Sequence, residues 1–69
     1  MSTIKIKILP SPKLTIYEDS IKEWRWRIEV SGEIIGASTE SYKNRQDCVD
    51  NILNLKKRIE FLERNKLIV

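Results

Sequence analysis

The stretch that decides the fold is EWRWRIEV, residues 23–30, in which apolar and charged side chains alternate. Alternation at every second residue is typical of a β-strand with one buried and one exposed face. Aromatic and β-branched residues, which favour strands, supply the apolar side. The predicted inner face consists of Trp24, Trp26, Ile28 and Val30, and the predicted outer face of Arg25, Arg27 and Glu29.

Ser31 and Gly32 separate this strand from a second apolar segment, residues 33–38. Gly32 tolerates the positive φ that two-residue hairpin loops require, so the pattern predicts an antiparallel hairpin. A two-residue loop would place Ile34 on the outer face with the arginines. The expected cross-strand pairs are Val30 with Glu33, Ile28 with Ile35, and Trp26 with Ala37.

A long helix is predicted after the sheet. Asn44, followed by Asp47, fits an N-cap with an acidic first turn, and Asn65 fits the helix end. Apolar residues between them recur at spacings of three and four, which places them along one stripe. We expect this stripe to cover both tryptophans. Its members are Cys48, Val49, Ile52, Leu55, Ile59 and Leu62.

Upstream of the hairpin, IKIKI at residues 4–8 also alternates, Pro10–Pro12 interrupts it, and Leu14 and Ile16 resume the alternation. The predicted fold class is therefore α+β: an antiparallel three- to four-stranded meander sheet with one long C-terminal helix packed on one face. We divide the chain into an N-terminal arm or extra strand (1–11), a β-β-β-α domain (12–65) and an apolar C-terminal tail (66–69).

A spaced pattern runs through these elements, at Trp26, Arg27, Gly32, Glu33, Ile34, Ile35, Ser38, Tyr42 and Ile52. It resembles the YegP-like family, small domains of unknown function with three antiparallel strands and one helix, over roughly residues 14–57. Ser31 stands where that family usually has Asn, and Asn51 where it commonly has Gly. The resemblance implies a unit that occurs as tandem repeats or, when single, pairs with itself. It implies no catalytic residues.

The composition limits how this chain can be stabilised. A domain of 69 residues has one small core, which supplies roughly 3–5 kcal/mol. Cys48 is the only cysteine and histidine is absent, which excludes an internal disulfide and a Cys/His zinc site within one chain. We expect no metal and no cofactor, and we expect self-association to supply the missing stability.

Catalytic and membrane functions find no support in the sequence. No nucleophile–base pair is visible, and only Gly32 and Gly36 are available for a phosphate loop, so we predict that the protein is not an enzyme. No apolar run approaches the roughly 18 residues of a membrane span. A single cysteine and no signal-peptide core indicate a cytoplasmic protein.

Two functional hypotheses remain. The first is an interaction module that acts as a homodimer, with another protein as an open second partner. Its expected dimer contacts are Ile4, Ile6, Ile8, Ile34, Leu67, Ile68 and Val69. The alternative is a weak nucleic-acid-binding protein with a basic outer sheet face, whose expected contacts are Lys5, Lys7, Arg25 and Arg27.

Overall fold

A computed structural model describes residues 10–69 of the chain. Three strands come first: β1 (Lys13–Glu18), β2 (Trp24–Val30) and β3 (Glu33–Ala37). They form one antiparallel sheet in the order β1-β2-β3, and a single helix, α1 (Arg45–Arg64), follows. The predicted α+β class and meander connection are confirmed. The strand expected at residues 4–8 lies outside the described residues.

The loop between β1 and β2 is organised by Asp19. Its backbone N–H donates to the carbonyl of Glu23 at 2.8 Å, which closes a three-residue loop whose last member, Lys22, has a φ of 61°. Asp19 Oδ1 also accepts from the amides of Ile21 and Glu23, each at 3.0 Å. The Asp19 carboxylate thus accepts hydrogen bonds from loop amides in place of backbone carbonyls.

The turn between β2 and β3 is the predicted two-residue loop. Ser31 has a φ of 51° and Gly32 a φ of 82°, and positive φ at both central residues is the requirement of a type I′ turn. The turn twists in the same sense as the strands that it joins, so it holds the hairpin closed. Gly32 adopts this conformation without the steric cost that Ser31 bears.

The predicted register holds only next to the turn. Val30 faces Glu33 as expected, but Ile28 faces Gly36 rather than Ile35, because a bulge inserts Ile35 as an unpaired residue. Trp26 does not face Ala37, which is paired with Arg27 instead.

Ser38 stabilises this shifted register from the far side of the bulge. Its backbone N–H donates to the Trp26 carbonyl at 2.9 Å, and its hydroxyl oxygen accepts from the Trp26 amide at 3.3 Å. A backbone bridge between Trp24 and Tyr42 then continues the pairing along β2. The central strand is therefore paired on both sides.

Helix α1 begins and ends at the predicted residues. Asn44 is the extended N-cap, but its side chain donates to Asp47 Oδ2 at 3.3 Å and makes no capping bond to the backbone. At the other end, Lys66 has a φ of 57° and donates to the Glu63 carbonyl, while Leu67 donates to the Leu62 carbonyl. These two bonds form a Schellman motif, which satisfies the last carbonyls of the helix.

The core is small. Trp26 and Cys48 are the only buried residues in the described part of the chain, with 6% and 0% of their surface exposed. α1 lies mainly over β2, where Trp26 Nε1–H donates to Asn51 Oδ1 at 2.7 Å. Ring and helix are thus joined by both burial and a directional bond. Trp24, also expected beneath the helix, is only half-buried.

The prediction that the whole apolar stripe of α1 covers the sheet is wrong for its second half. Val49 and Ile52 are half-buried, whereas every residue from Leu53 onward is exposed. The contacts that anchor α1, burial of Cys48 and the bond that Asn51 accepts from Trp26, lie near the start of the helix, and the side chains from Leu53 onward are not buried against the sheet.

The bond between Trp26 and Asn51 makes the first prediction. Asn51→Ala leaves the buried indole N–H without a partner, and we expect the free energy of unfolding, measured by urea titration, to fall by about 1–3 kcal/mol. Asn54→Ala, at an exposed position of the same helix, is the matched control and should have little effect. The loss should shrink in a Trp26→Phe background, and an equal loss in both backgrounds would contradict the assignment.

Candidate functional site

The second half of α1 carries an exposed apolar surface, the overhang stripe, formed by Leu55, Ile59 and Leu62. Spacings of four and three residues place these side chains on one face of the helix, in line with buried Cys48. Their exposed fractions are 38%, 50% and 37%. The helix therefore presents apolar surface that a partner can bury.

An apolar groove of about 260 Å³ lies where the overhang stripe meets the sheet. Leu14 of β1 and Ile28 of β2 form its sheet side, and Leu55 and Ile59 form much of its helix side. The remaining lining residues are Trp26, Ile52, Lys56 and Glu60. A groove with this lining fits aliphatic side chains, because almost all of the surface it offers is hydrocarbon.

Among residues 10–69, the sheet side of the groove ends at an edge strand, β1. β1 pairs only with β2 within the described residues, so its other side offers unpaired backbone N–H and C=O groups. Leu14, near the start of β1, is 42% exposed. An unpaired edge beside an apolar groove is a template for an added strand, since the backbone supplies hydrogen bonds and the groove accepts side chains.

The outer sheet face carries both arginines of β2, as the alternation predicts. Arg25 Nε lies 2.9 Å from Asp19 Oδ2, and the two groups also meet hydrogen-bond geometry. Arg27 Nε lies 2.7 Å from Glu29 Oε1, although this N–H is not directed at the oxygen. The guanidinium of Arg27 also stands 5.1 Å from the centroid of the Tyr17 ring, a cation–π contact.

These contacts reduce the basic character expected for the outer face. Each arginine has a carboxylate within ion-pair distance, so binding a phosphate would require it to exchange or share that partner. The other residues of the nucleic-acid hypothesis, Lys5 and Lys7, lie outside the described residues. Ile34 faces outward opposite Glu29, and 61% of its surface is exposed.

The remaining expected dimer contacts are in two places. Leu67, Ile68 and Val69 lie at the end of α1 and are exposed. Ile4, Ile6 and Ile8 lie outside the described residues. Neither Ile34 nor any residue of the tail lines the groove.

Two reactive side chains lie near the first turn of α1. Burial raises the pKa of the Cys48 thiol, and the nearby Arg45 opposes this shift only in part. Burial also raises the pKa of Tyr42, and the charges of Glu40 and Cys48 act in the same direction. Both groups are therefore protonated at neutral pH, where a thiol is a poor nucleophile.

Residues 10–69 offer neither a cluster of metal ligands nor a membrane-spanning helix. Residues 10–69 contain no cluster of three or more histidine, cysteine, aspartate or glutamate side chains placed to hold a metal ion. Within the same residues, α1 lacks the apolar length needed to cross a bilayer.

The groove does not follow from the sequence patterns, which predict that Leu55, Ile59 and Leu62 are covered by the sheet and give Leu14 no contact role. No length signal marks it, because the stripe from Cys48 to Leu62 is about 21 Å long and a seven-residue strand is about 23 Å long.

Comparison with known proteins adds no relative: no protein-family model, no curated protein and no solved structure matches the chain. The YegP-like resemblance accordingly stays a prediction based on the residues quoted above.

Asp19 makes the second prediction. The Glu23 amide lowers the pKa of this carboxyl most, with further contributions from Arg25 and Ile21 that outweigh desolvation. A lowered pKa in the folded state means that the ionised group stabilises the fold above its unfolded pKa of about 3.9, and that this contribution is lost as the pH falls through the folded value.

We therefore expect Asp19→Asn to lower the urea midpoint at pH 7, with the difference from the parent protein shrinking below about pH 4. Asp50→Asn removes a carboxylate from the exposed helix surface and serves as the control. A difference that stays constant down to pH 2 would rule out ionised Asp19 as the organiser of the β1–β2 loop.

Proposed function

We propose that this protein is a non-enzymatic interaction module that acts as a homodimer, in which a second copy covers the overhang stripe and the apolar groove. The observation that carries the proposal is the exposure of Leu55, Ile59 and Leu62 on the same helix face that buries Cys48. Apolar residues continue along this face where its side chains are no longer buried against the sheet.

The small core supports the same proposal. Two buried residues in the described chain are few for a stable domain, and the composition offers neither a disulfide nor a Cys/His metal site to compensate. In a two-fold dimer each contact residue occurs twice, so the same apolar surface of both copies is buried. The free energy of association then adds to the stability of the folded chain.

The groove also suits a neighbour of the same kind. Its charged lining residues are one cation, Lys56, and one anion, Glu60, so an identical surface meets no net repulsion. The YegP-like resemblance predicts a unit that pairs with itself, which is the same mode of action. The nucleic-acid alternative has less support, because Arg25 and Arg27 already face carboxylates of their own chain.

The third prediction tests the surface by a matched pair of substitutions. Ile59 and Leu53 are both 50% exposed, but they lie about 120° apart around the helix. Ile59→Lys would place a charge in the proposed interface, and we expect a monomer in analytical ultracentrifugation at concentrations where the parent protein is a dimer. Leu53→Lys should leave the dimer intact.

Two further measurements complete this test. Far-ultraviolet circular dichroism checks that both variants are folded, so that loss of the dimer is not loss of the fold. The parent dimer should persist or strengthen as salt is raised, because apolar contacts are not screened. A parent protein that remains a monomer at high micromolar concentration would overturn the proposal.

A further inference from the structure

We propose that the segment of the second copy that fills the groove is residues 4–8, added as a fourth strand along the free edge of β1. This inference rests on the proposed homodimer and specifies how it is built: each copy would donate its IKIKI segment to the other. Three observations support it: the position of the groove, the alternation of side chains in residues 4–8, and the course of the chain at residues 10–12.

The groove lies where an added strand would run. A strand beside β1 would be about 4.8 Å from it and next to Leu14, which lines the groove together with Leu55 and Ile59 of α1. Five residues span about 17 Å, close to the length of six-residue β1 at about 20 Å. The segment is therefore long enough to cover most of the edge.

The alternation of IKIKI has the correct phase. Leu14 and Ile16 lie opposite Ile28 and Trp26, so even-numbered positions of β1 face the helix. In a strand collinear with β1, the same parity turns Ile4, Ile6 and Ile8 toward the helix. Lys5 and Lys7 then face the opposite side, and no charge is placed in the groove.

Residues 10–12 favour pairing of residues 4–8 with β1 of the second copy over a hairpin with β1 of the same chain. The chain enters β1 through Pro10, Ser11 and Pro12 without a turn or bend. Proline fixes its own φ and disfavours helical backbone in the residue before it, so Pro-Ser-Pro keeps the chain extended. A segment that continues straight past the end of its own β1 meets the β1 edge of a two-fold-related copy.

A symmetric register follows. With the two-fold axis at Ser11, residues 4–8 of one copy run antiparallel to residues 14–18 of the other, and Pro10 and Pro12 lie between the paired segments, where they donate no hydrogen bonds. Ile8 of one copy then lies beside Leu14 of the other, and Ile6 beside Ile16. Both pairs join side chains on the groove face. Exchange of a terminal strand in this way is a common route to dimers.

Disulfide trapping tests the exchange. An Ile8→Cys chain is mixed with a ¹⁵N-labelled Leu14→Cys chain, refolded together and oxidised, and the products are weighed by non-reducing mass spectrometry. Paired strand positions bring Cβ atoms within disulfide range, so we expect a mixed-label covalent dimer. Cys48 remains in both chains because it is fully buried, and the parent protein, treated identically, reports any background from it.

A Lys7→Cys chain mixed with the same labelled partner is the matched control. Its side chain lies on the opposite face, and we expect the yield of mixed dimer to fall at least fivefold. A chain carrying both Ile8→Cys and Leu14→Cys distinguishes the source of the strand: covalent dimers support exchange, whereas a disulfide closed within one chain overturns it.

The remaining outcomes separate this inference from the proposed function. A parent protein that sediments as a dimer, but whose Ile8→Cys and Leu14→Cys chains give no mixed disulfide, overturns the strand exchange and leaves the homodimer standing. A parent protein that sediments as a monomer overturns both.

Discussion

The structure depends on one contact, between the indole of Trp26 and the first half of α1. The ring is buried beneath the helix, and its N–H donates to Asn51. Burial of apolar surface is non-directional, whereas the hydrogen bond requires one helix position and one angle. The pair therefore fixes where α1 crosses the sheet and, with it, which helix residues are not buried against the sheet.

That placement produces the features of functional interest. Because the helix is anchored near its start, the rest of its apolar stripe is not buried against the strands and leaves a groove lined by Leu14 and Ile28 on the sheet side. The opposite sheet face is built differently, since Arg25 and Arg27 are held there by Asp19 and Glu29. One side of the sheet is thus occupied by internal ion pairs, while the helix side has apolar surface left over. This asymmetry favours an apolar partner.

Much of this fold follows from local sequence patterns. Alternation predicted β2, the Ser31-Gly32 turn predicted the hairpin, and spacing predicted α1 with its cap at Asn44. The register beyond the bulge did not follow, because it depends on bonds that Ser38 makes across the sheet. The role of Asn51 and the exposure of the overhang stripe also depend on where the helix sits, which is a tertiary property. Local patterns carry no information on that position.

The bulge at Ile35 has a consequence for how far assembly can proceed. An irregular outer strand does not present evenly spaced donors and acceptors, and Ile34 and Ile35 project from it on consecutive positions. The opposite edge of the sheet, β1, pairs with β2 without a register shift among the described residues. Strand addition along β3 is therefore disfavoured by the geometry of a single extra residue.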